Sequence, residues 1–221
     1  MNNYGIHPEY LENPPSETTR FIDSNEISEE WQYHVYELAA SLLGPDDSVL
    51  DYGCGQAFKL AKLIGPKLNS DYCRIVGVDL EESVAFCRSK WDFGEFYTPD
   101  DFETFYPIGS PDRFFNVVIC SDVIEHLVDP DALLEGLLSL DAKRGGTTFI
   151  LSTPCREFKL GPKLGPPENL AHIREWTFSE FRSYVESKGF ETIYHVLAPD
   201  RLFPDGTLGY LTNQILVCRV K

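Results

Sequence analysis

The sequence is poor in positive charge. It contains 19 Lys and Arg residues against 35 Asp and Glu residues, which gives a formal net charge of −16. Binding along a phosphate backbone needs clustered Lys and Arg, so this composition disfavours a nucleic-acid partner. It is typical of a soluble protein that repels polyanions. Runs of about 18 apolar residues are also missing, and no membrane-spanning segment or membrane partner is predicted.

Cysteine motifs are absent as well. The six cysteines are dispersed, and none forms a Cys-x-x-Cys pair. Several stand in apolar runs, where a free thiol behaves as a small hydrophobic group. This usage predicts neither a zinc site nor a disulfide framework, and it favours a reducing compartment. The polar, proline-containing start shows no basic stretch followed by an apolar block, so we expect no secretory signal and a cytoplasmic location.

What the sequence does contain is an alternation of strand and helix patterns. Unbroken apolar runs at 117–119 and 149–151 are typical of strands buried on both faces of a parallel sheet. Strands are predicted at 48–52, 74–79, 115–120, 147–152, 191–197 and 214–220, and helices at 29–43, 59–68, 82–90, 130–140 and 177–188. This order predicts a doubly wound α/β sheet.

The remaining segments complete one predicted domain. Residues 1–27 are interpreted as an extended arm and 28–221 as a single domain, with Ser28 as the N-cap of the first helix. The segment 91–113 is predicted to be irregular. A loop rich in proline and glycine is predicted over about 153–176, on the substrate side of the sheet.

A ligand-binding turn is predicted where the first strand enters a helix. In the segment VLDYGCGQA (49–57), Gly53 and Gly55 allow a tight turn and close approach of a ligand. Asp51 would repel a pyrophosphate there but can bind an ammonium group. Asp79, at the end of the next strand, is placed to accept ribose hydroxyls. The pattern favours a positively charged nucleoside cofactor, and an NAD-dependent dehydrogenase is a poor alternative.

Four segments in order resemble the motifs of class I S-adenosylmethionine-dependent methyltransferases. They are VLDYGCGQA, GVDL, FFNVVICSDVIEHL and FILSTP, and the match covers about residues 45–155. The resemblance implies S-adenosyl-L-methionine as cofactor and a Rossmann-like, mostly parallel seven-stranded sheet with an antiparallel last strand. The cofactor-binding residues that it implies are Asp51, Gly53, Cys54 and Gly55 at the methionine part, Asp79 at the ribose, Leu80 and Asp101 (or Asp100) at adenine, and Cys120 and Ser121 through their backbone.

Candidate catalytic residues follow the strand that borders the cofactor. His126 can act as a general base because the ordinary pKa of histidine lies near neutrality. Glu125 either orients His126 or binds a metal; alternatively, both residues only support their loop. His172 is a second candidate for contact with the substrate. Arg174 either pairs with Glu175 or holds an anionic group of the substrate.

Three functional hypotheses follow. The first is a small-molecule O-methyltransferase that uses His126 and His172, without an assigned metal, on a sugar or another hydroxylated metabolite. The resemblance here is to the ubiquinone-biosynthesis enzyme and its sugar-modifying relatives. The second is a small-RNA 3′-terminal 2′-O-methyltransferase, whose Glu-x-x-Glu-His metal motif is matched except for Asp122 in place of the first Glu. The third is a non-catalytic protein that binds the cofactor. The sequence does not indicate an oligomeric state.

Overall fold

A seven-stranded sheet forms the centre of the protein. The computed structural model describes residues 30–68, 73–141, 146–160, 167–169 and 171–221. The strands are β1 (Ser48–Tyr52), β2 (Arg74–Val78), β3 (Glu95–Tyr97), β4 (Val117–Ser121), β5 (Thr148–Pro154), β6 (Phe190–Ala198) and β7 (Asn213–Val220). Their order is β3-β2-β1-β4-β5-β7-β6, and β7 is antiparallel to both of its neighbours. This arrangement confirms the predicted fold class.

Six α-helices cover the sheet in the described part of the chain. They are α1 (Tyr33–Leu42), α2 (Glu81–Lys90), α3 (Pro99–Phe105), α4 (Pro130–Leu138), α5 (Arg156–Leu160) and α6 (Phe178–Ser187). The helix predicted at 59–68 is instead a π-helical turn, Leu60–Ile64, followed by a 3-10 turn, Gly65–Lys67. Pro66 within the second turn has no backbone N–H, so a regular α-helix cannot continue through it.

The prediction of an irregular segment at 91–113 is wrong. This stretch holds β3, which pairs in parallel with β2, and α3, whose first turn is capped by the Thr98 hydroxyl accepting from the Asp101 N–H at 3.2 Å. A three-residue edge strand is too short to show a periodic pattern. The aromatic residues that obscured the pattern pack together instead, as in the edge-to-face contact of Tyr97 with Tyr106 at 5.8 Å between ring centroids.

The first helix begins later than predicted. Gln32 has a φ of 53°, in the left-handed region, and provides no side-chain cap, so α1 starts at Tyr33 and not at residue 29. Trp31 precedes the helix and forms an isolated antiparallel bridge with Arg201. The predicted arm (1–27) and the Ser28 cap lie outside the described residues. The predicted loop at 153–176 contains the short helix α5.

Alternate residues of the central strands pack on opposite faces of the sheet. Leu50 and Val118 belong to one buried cluster with Phe149 and Leu216, and Val49 and Ile119 belong to another on the opposite face. Each such side chain contributes roughly 1.5–3 kcal/mol by its burial. Both faces of the sheet are therefore covered, as the apolar runs predict. Among the described helices, none combines the length and the apolar character needed to cross a bilayer.

Candidate functional site

A cavity of about 1050 Å³ opens at the carboxyl ends of four strands. Its wall includes Gly53 after β1, Asp79 after β2, Ser121 at the end of β4 and Pro154 at the end of β5. Doubly wound sheets bind their ligands at this edge. The volume lies at the upper end of the usual range for ligand pockets, about 300–1000 Å³, and leaves room for a nucleoside cofactor beside a second molecule.

The turn after β1 is shaped for close approach of a ligand. Gly53 has a φ of 91°, and a Cβ added there would lie 2.1 Å from Cγ2 of Val123, so only glycine fits. A Cβ on Gly55 would meet no described atom within 4 Å, so the space above this backbone is open. The Gly55 N–H donates to Asp79 Oδ2 at 2.8 Å, and the Leu80 N–H donates to Oδ1 at 2.7 Å. These bonds fix the Asp79 carboxylate at the cavity wall.

Asp51 lies behind the cavity wall, in contact with the Tyr36 side chain that lines it. It is fully buried, and its Oδ2 accepts a hydrogen bond of 2.9 Å from the hydroxyl of Tyr36, which itself lines the cavity. Its Oδ1 is buried and has no hydrogen-bond partner among the described residues. Burial raises the pKa of Asp51 to about 7, and Tyr36 and Lys59 oppose this rise only in part. An unpartnered carboxylate oxygen beside the turn is consistent with a cofactor that carries an ammonium group.

The structure brings most of the predicted cofactor residues to this cavity. The lining includes Gly53, Cys54, Gly55, Asp79, Leu80 and Ser121, but not Asp51, Cys120 or Asp101. Cys120 is buried inside β4. The Asp101 carboxylate is half-exposed and lies 3.5 Å from the Arg88 guanidinium, so the structure does not place Asp101 at an adenine site. The individual contacts with the cofactor stay predictions.

Two histidines meet on the opposite wall. The rings of His126 and His172 lie edge to face with centroids 4.8 Å apart, and both line the cavity. Nδ1 of His126 is 2.8 Å from the Ala171 carbonyl oxygen. Because a carbonyl can only accept, this nitrogen carries the proton and Nε2 carries the lone pair of the neutral ring. His126 therefore presents one defined tautomer.

His172 is paired with a buried carboxylate. Its Nδ1 donates to Glu175 Oε1 at 2.6 Å, and its Nε2 accepts from the Asn169 amide at 2.9 Å. Glu175 also accepts from Lys159 Nζ at 2.9 Å. Although burial acts to raise the pKa of Glu175, its bonds to His172 and Lys159 lower it below the ordinary value. Glu175 is thus an ionised partner behind a histidine that faces the cavity.

Arg174 does not pair with Glu175, which corrects one of the two sequence-based alternatives. Its guanidinium donates instead to the Val128 carbonyl oxygen at 3.2 Å. Glu175 is the residue of this segment whose functional position the sequence analysis missed. The i, i+3 spacing of His172 and Glu175 was the available signal, but in a loop this spacing does not place two side chains on one face.

Glu125 is the third predicted catalytic residue, and it lies beside the two histidines. It is fully buried; Oε2 accepts from the Thr153 hydroxyl at 3.1 Å, and Oε1 has no partner in the described part of the chain. Glu125, His126 and His172 each offer one ligand atom within 4.8 Å of the others. Burial, and then the nearby Asp122 carboxylate, raise the pKa of Glu125. Carboxylate and imidazole groups in this arrangement can hold a divalent metal.

Asp122 is committed to structural bonds. It has a φ of 52°, and its carboxylate accepts from Ser152 Oγ at 2.7 Å, Gln32 Nε2 at 2.9 Å and Asn213 Nδ2 at 3.2 Å. It is not part of the metal-capable set around Glu125. These three bonds offset the cost of a left-handed non-glycine residue, about 1–2 kcal/mol, and join the segment before α1 to β5 and β7.

Comparisons with known proteins identify the family. A family model described as a methyltransferase domain matches residues 24–195. Among solved structures, an S-adenosylmethionine-dependent methyltransferase from Aquifex aeolicus is 17% identical, with a TM-score of 0.56 over 90% of this chain and 95% of its own. The cyclase SpnF is 15% identical, with a TM-score of 0.63 over 93% of this chain and 87% of its own.

The small RNA methyltransferase HEN1 is also similar in fold. It is 19% identical, with a TM-score of 0.61, and the match covers 94% of this chain but 27% of that protein. Identities of this size show a shared fold and do not identify a substrate. The family match, the glycine turn and the acid after β2 agree on the cofactor. The chain belongs to the methyltransferase-domain family and is a class I S-adenosylmethionine-dependent methyltransferase.

Proposed function

We propose that the protein transfers a methyl group from S-adenosylmethionine to a hydroxyl oxygen of a small molecule, such as a sugar or another hydroxylated metabolite. The observation that carries the proposal is the His172–Glu175 pair at the cavity wall, with its 2.6 Å contact to a buried, ionised carboxylate. The bound cofactor supplies an electrophilic methyl group. The protein must then place the hydroxyl in line with it and remove the proton.

His172 is the residue best placed to take that proton. With the cofactor bound, its sulfonium would supply the methyl group to the hydroxyl oxygen and keep the electron pair of the methyl–sulfur bond. Nε2 of His172 would take the hydroxyl proton. The Asn169 amide, now bonded to that nitrogen at 2.9 Å, is displaced by the acceptor. Glu175 stabilises the resulting imidazolium, as a carboxylate does behind a catalytic histidine.

His126 has a different part in this proposal. Burial, and then the neighbouring His172, lower the pKa of His126, so its ring stays neutral at physiological pH. Its Nδ1–H is held by the Ala171 carbonyl oxygen at 2.8 Å. The neutral ring of His126 therefore bounds the acceptor site beside His172 and leaves the single hydroxyl proton to Nε2 of His172.

A small acceptor fits the electrostatics better than a polyanion. The chain carries a net charge of −16, and Asp129 and Asp200 line the cavity in addition to Asp79 and Glu125. A nucleic-acid backbone, with its many phosphates, would meet long-range repulsion from this net charge.

The direct test is identification of the methylated atom. The protein is incubated with methyl-¹³C-labelled cofactor and a panel of sugars and polyols, each matched by its amino-sugar analogue, and products are examined by NMR. An O-methyl signal with the hydroxylated members supports the proposal. Labelled N-methyl or C-methyl products alone contradict it, and cofactor binding without transfer to any member favours the non-catalytic alternative.

A second candidate is metal-assisted methylation of an RNA 2′-hydroxyl. The convergence of Glu125, His126 and His172 favours it, together with the unpartnered buried Oε1 of Glu125. The small RNA methyltransferase among the similar structures is consistent with it. Asp122 argues against it, because the carboxylate that would be the fourth ligand is engaged by Gln32, Ser152 and Asn213.

Metal titration separates the two candidates. Calorimetry with Mg²⁺, Mn²⁺ and Zn²⁺ is run on the protein saturated with S-adenosylhomocysteine, and methyl transfer is measured with and without EDTA. Metal binding that is lost in Glu125→Gln, with EDTA-sensitive transfer to a short RNA, supports the second candidate. EDTA-resistant transfer to a small hydroxylated acceptor supports the first.

A further inference from the structure

An arginine of the segment between β6 and β7 lines the same cavity as the two histidines. Arg201 lies next to Asp200 in that wall, on the side formed with Trp31. Neither the cofactor turn nor the proposed proton transfer uses this residue. The presence of this positively charged side chain in the cavity wall of a protein with a net charge of −16 requires a functional explanation.

The arginine is held in place by its surroundings. Its guanidinium carbon lies 3.7 Å from the Trp31 ring centroid and 5.0 Å from that of Phe203. The backbone is fixed as well, since the Gly209 N–H donates to the Arg201 carbonyl oxygen at 2.9 Å. A Cβ on Gly209 would come within 2.8 Å of Cγ of Arg201, so the loop packs tightly under the side chain. Stacking fixes the guanidinium plane without using its N–H donors.

The hydrogen-bonding capacity of Arg201 is almost unused. A guanidinium has five N–H donors. In the described part of the chain its side chain makes no hydrogen bond, and its one ion-pair contact is a 3.8 Å approach of Nε to Asp200 Oδ1. That same oxygen already accepts from the Tyr210 N–H at 3.1 Å, and Oδ2 lies 3.4 Å from the Thr212 hydroxyl.

The described lining contains two other Lys and Arg residues, and both act on buried carboxylates. Lys159 is bonded to the buried Glu175 at 2.9 Å, and Lys59 lies 5.1 Å from the centroid of the Tyr36 ring, where it also acts on Asp51. Arg201 is the lining cation that has a stacked guanidinium plane and N–H donors that make no hydrogen bond among the described residues. Its stacked plane suits bidentate binding of an oxyanion.

We propose that Arg201 binds an oxyanion group of the acceptor, a carboxylate or a phosphate ester, so that the enzyme selects anionic hydroxylated molecules over neutral ones. This inference rests on the proposed function only in calling the bound molecule the acceptor. The binding of an anion by Arg201 does not depend on that function. Trp31 then has two tasks, since it fixes the guanidinium plane and forms part of the wall beside the bound molecule.

The test is a binding measurement that needs no turnover. D-Glucuronate, D-glucose 6-phosphate and D-glucose are titrated into the protein saturated with S-adenosylhomocysteine, with ligand-observed NMR as readout. We expect at least one anionic probe to bind about 10-fold or more tightly than glucose, the effect of a charge-assisted bidentate pair. The tighter of the two anionic probes identifies the carboxylate or the phosphate as the natural group.

Three variants define the role of the arginine. Arg201→Gln should abolish the preference, and Arg201→Lys should keep only part of it, because lysine retains the charge but not the planar fork. Arg182→Gln is the matched control, since Arg182 is exposed on α6 and pairs with Glu186, away from the cavity. Circular dichroism verifies folding of each variant.

The outcomes separate this inference from the proposed function. Equal affinities of all three probes, no binding of either anionic probe, or an unchanged preference in Arg201→Gln overturns the inference. Methylation of hydroxyl oxygens without a preference for anionic probes supports the proposed function and contradicts the inference. Arg201-dependent anion binding in a protein that never methylates oxygen supports the anion site and removes the proposed function.

Discussion

The two halves of the cavity are built in different ways. The cofactor half is formed chiefly by two stretches of chain, the turn after β1 and the end of β2. Backbone groups make many of its contacts. The other half, which we propose binds the acceptor and call the acceptor half, is assembled from side chains distant in sequence, among them Trp31, His126, His172 and Arg201. A motif can therefore specify the first half locally, whereas the second depends on tertiary packing. Variants should consequently separate cofactor binding from catalysis.

The largest expected effect comes from the acceptor half. His172→Ala should lower kcat about 10²- to 10⁴-fold, the usual contribution of a general base, with unchanged affinity for S-adenosylhomocysteine. Steady-state kinetics on the acceptor found by NMR, and calorimetry with the demethylated cofactor, measure the two effects. His34→Ala is the control, because His34 lies outside the cavity lining. An undiminished kcat in His172→Ala would show that this half contains no essential base at His172.

The glycine turn gives the matched effect in the cofactor half. Gly53→Ala should destabilise the protein by about 2–3 kcal/mol, since a Cβ would overlap Val123 at 2.1 Å on a residue with φ of 91°. Gly55→Ala should lower the free energy of unfolding by only about 1 kcal/mol. It should weaken cofactor binding, because its Cβ would project into the open space of the cavity that the cofactor needs. Denaturant unfolding and calorimetry distinguish the two. Equal stability of Gly53→Ala and wild type would contradict the clash.

A smaller effect on kcat is expected for Glu175, the carboxylate that accepts a hydrogen bond from His172. Glu175→Gln keeps the shape of the residue but removes the charge that stabilises the imidazolium, and should lower kcat by less than the loss of about 10²- to 10⁴-fold expected on removal of the base itself. The affinity for S-adenosylhomocysteine should not change. Glu135→Gln, on the exposed side of α4, is the control for the lost charge. Rates that are equal in Glu175→Gln and Glu135→Gln would remove Glu175 from the mechanism.

The last expected effect is a change in the stability of the protein with pH, caused by Asp51. The pKa of Asp51 is raised by burial from 3.8 to about 7 in the folded protein. The folded state thus binds more protons than the unfolded state between these values, and its stability falls as pH rises toward and through 7. Asp51→Asn removes this loss and should raise Tm at pH 8 relative to wild type by roughly 2–4 °C for each kcal/mol recovered.

The comparison at pH 4 provides the internal reference for Asp51→Asn. There the wild-type carboxyl is protonated in the folded state, and the difference in Tm should shrink. Asp46→Asn, at an exposed position, is the control for the loss of one carboxyl group. A difference between Asp51→Asn and wild type that is constant from pH 4 to pH 8 would contradict the raised pKa. Differential scanning calorimetry of the cofactor-free protein measures these values.

The sequence predicts the central sheet because its strands are buried on both faces and form unbroken apolar runs. It does not predict β3, whose three residues at the sheet edge are defined by pairing with β2. It places α1 too early, because a helical pattern continues across Gln32 although the backbone there is left-handed. Local patterns report burial and periodicity, but they do not report where tertiary contacts interrupt the backbone.

The same limit applies to the site. The cofactor turn is predictable because its residues are consecutive in sequence and its glycines are required by the local backbone conformation. The roles of Tyr36 and Glu175 are not, since each acts by contact with another residue, Asp51 and His172, that packing brings within 3 Å. For Asp101 the resemblance implies an adenine contact, whereas in the structure its carboxylate lies 3.5 Å from the Arg88 guanidinium; the adenine contact stays a prediction.

The bonds around Asp122 have a consequence for the order in which the protein is made. Gln32 and Asn213, which these bonds join to Asp122, are far apart in the sequence, so this junction forms only after residue 213 has been synthesised. A nascent chain can pair β1, β2 and β4 and shape the nucleoside turn earlier, because those contacts are closer in sequence. The cavity wall to which Asn213 contributes is thus completed only when β7 joins the sheet.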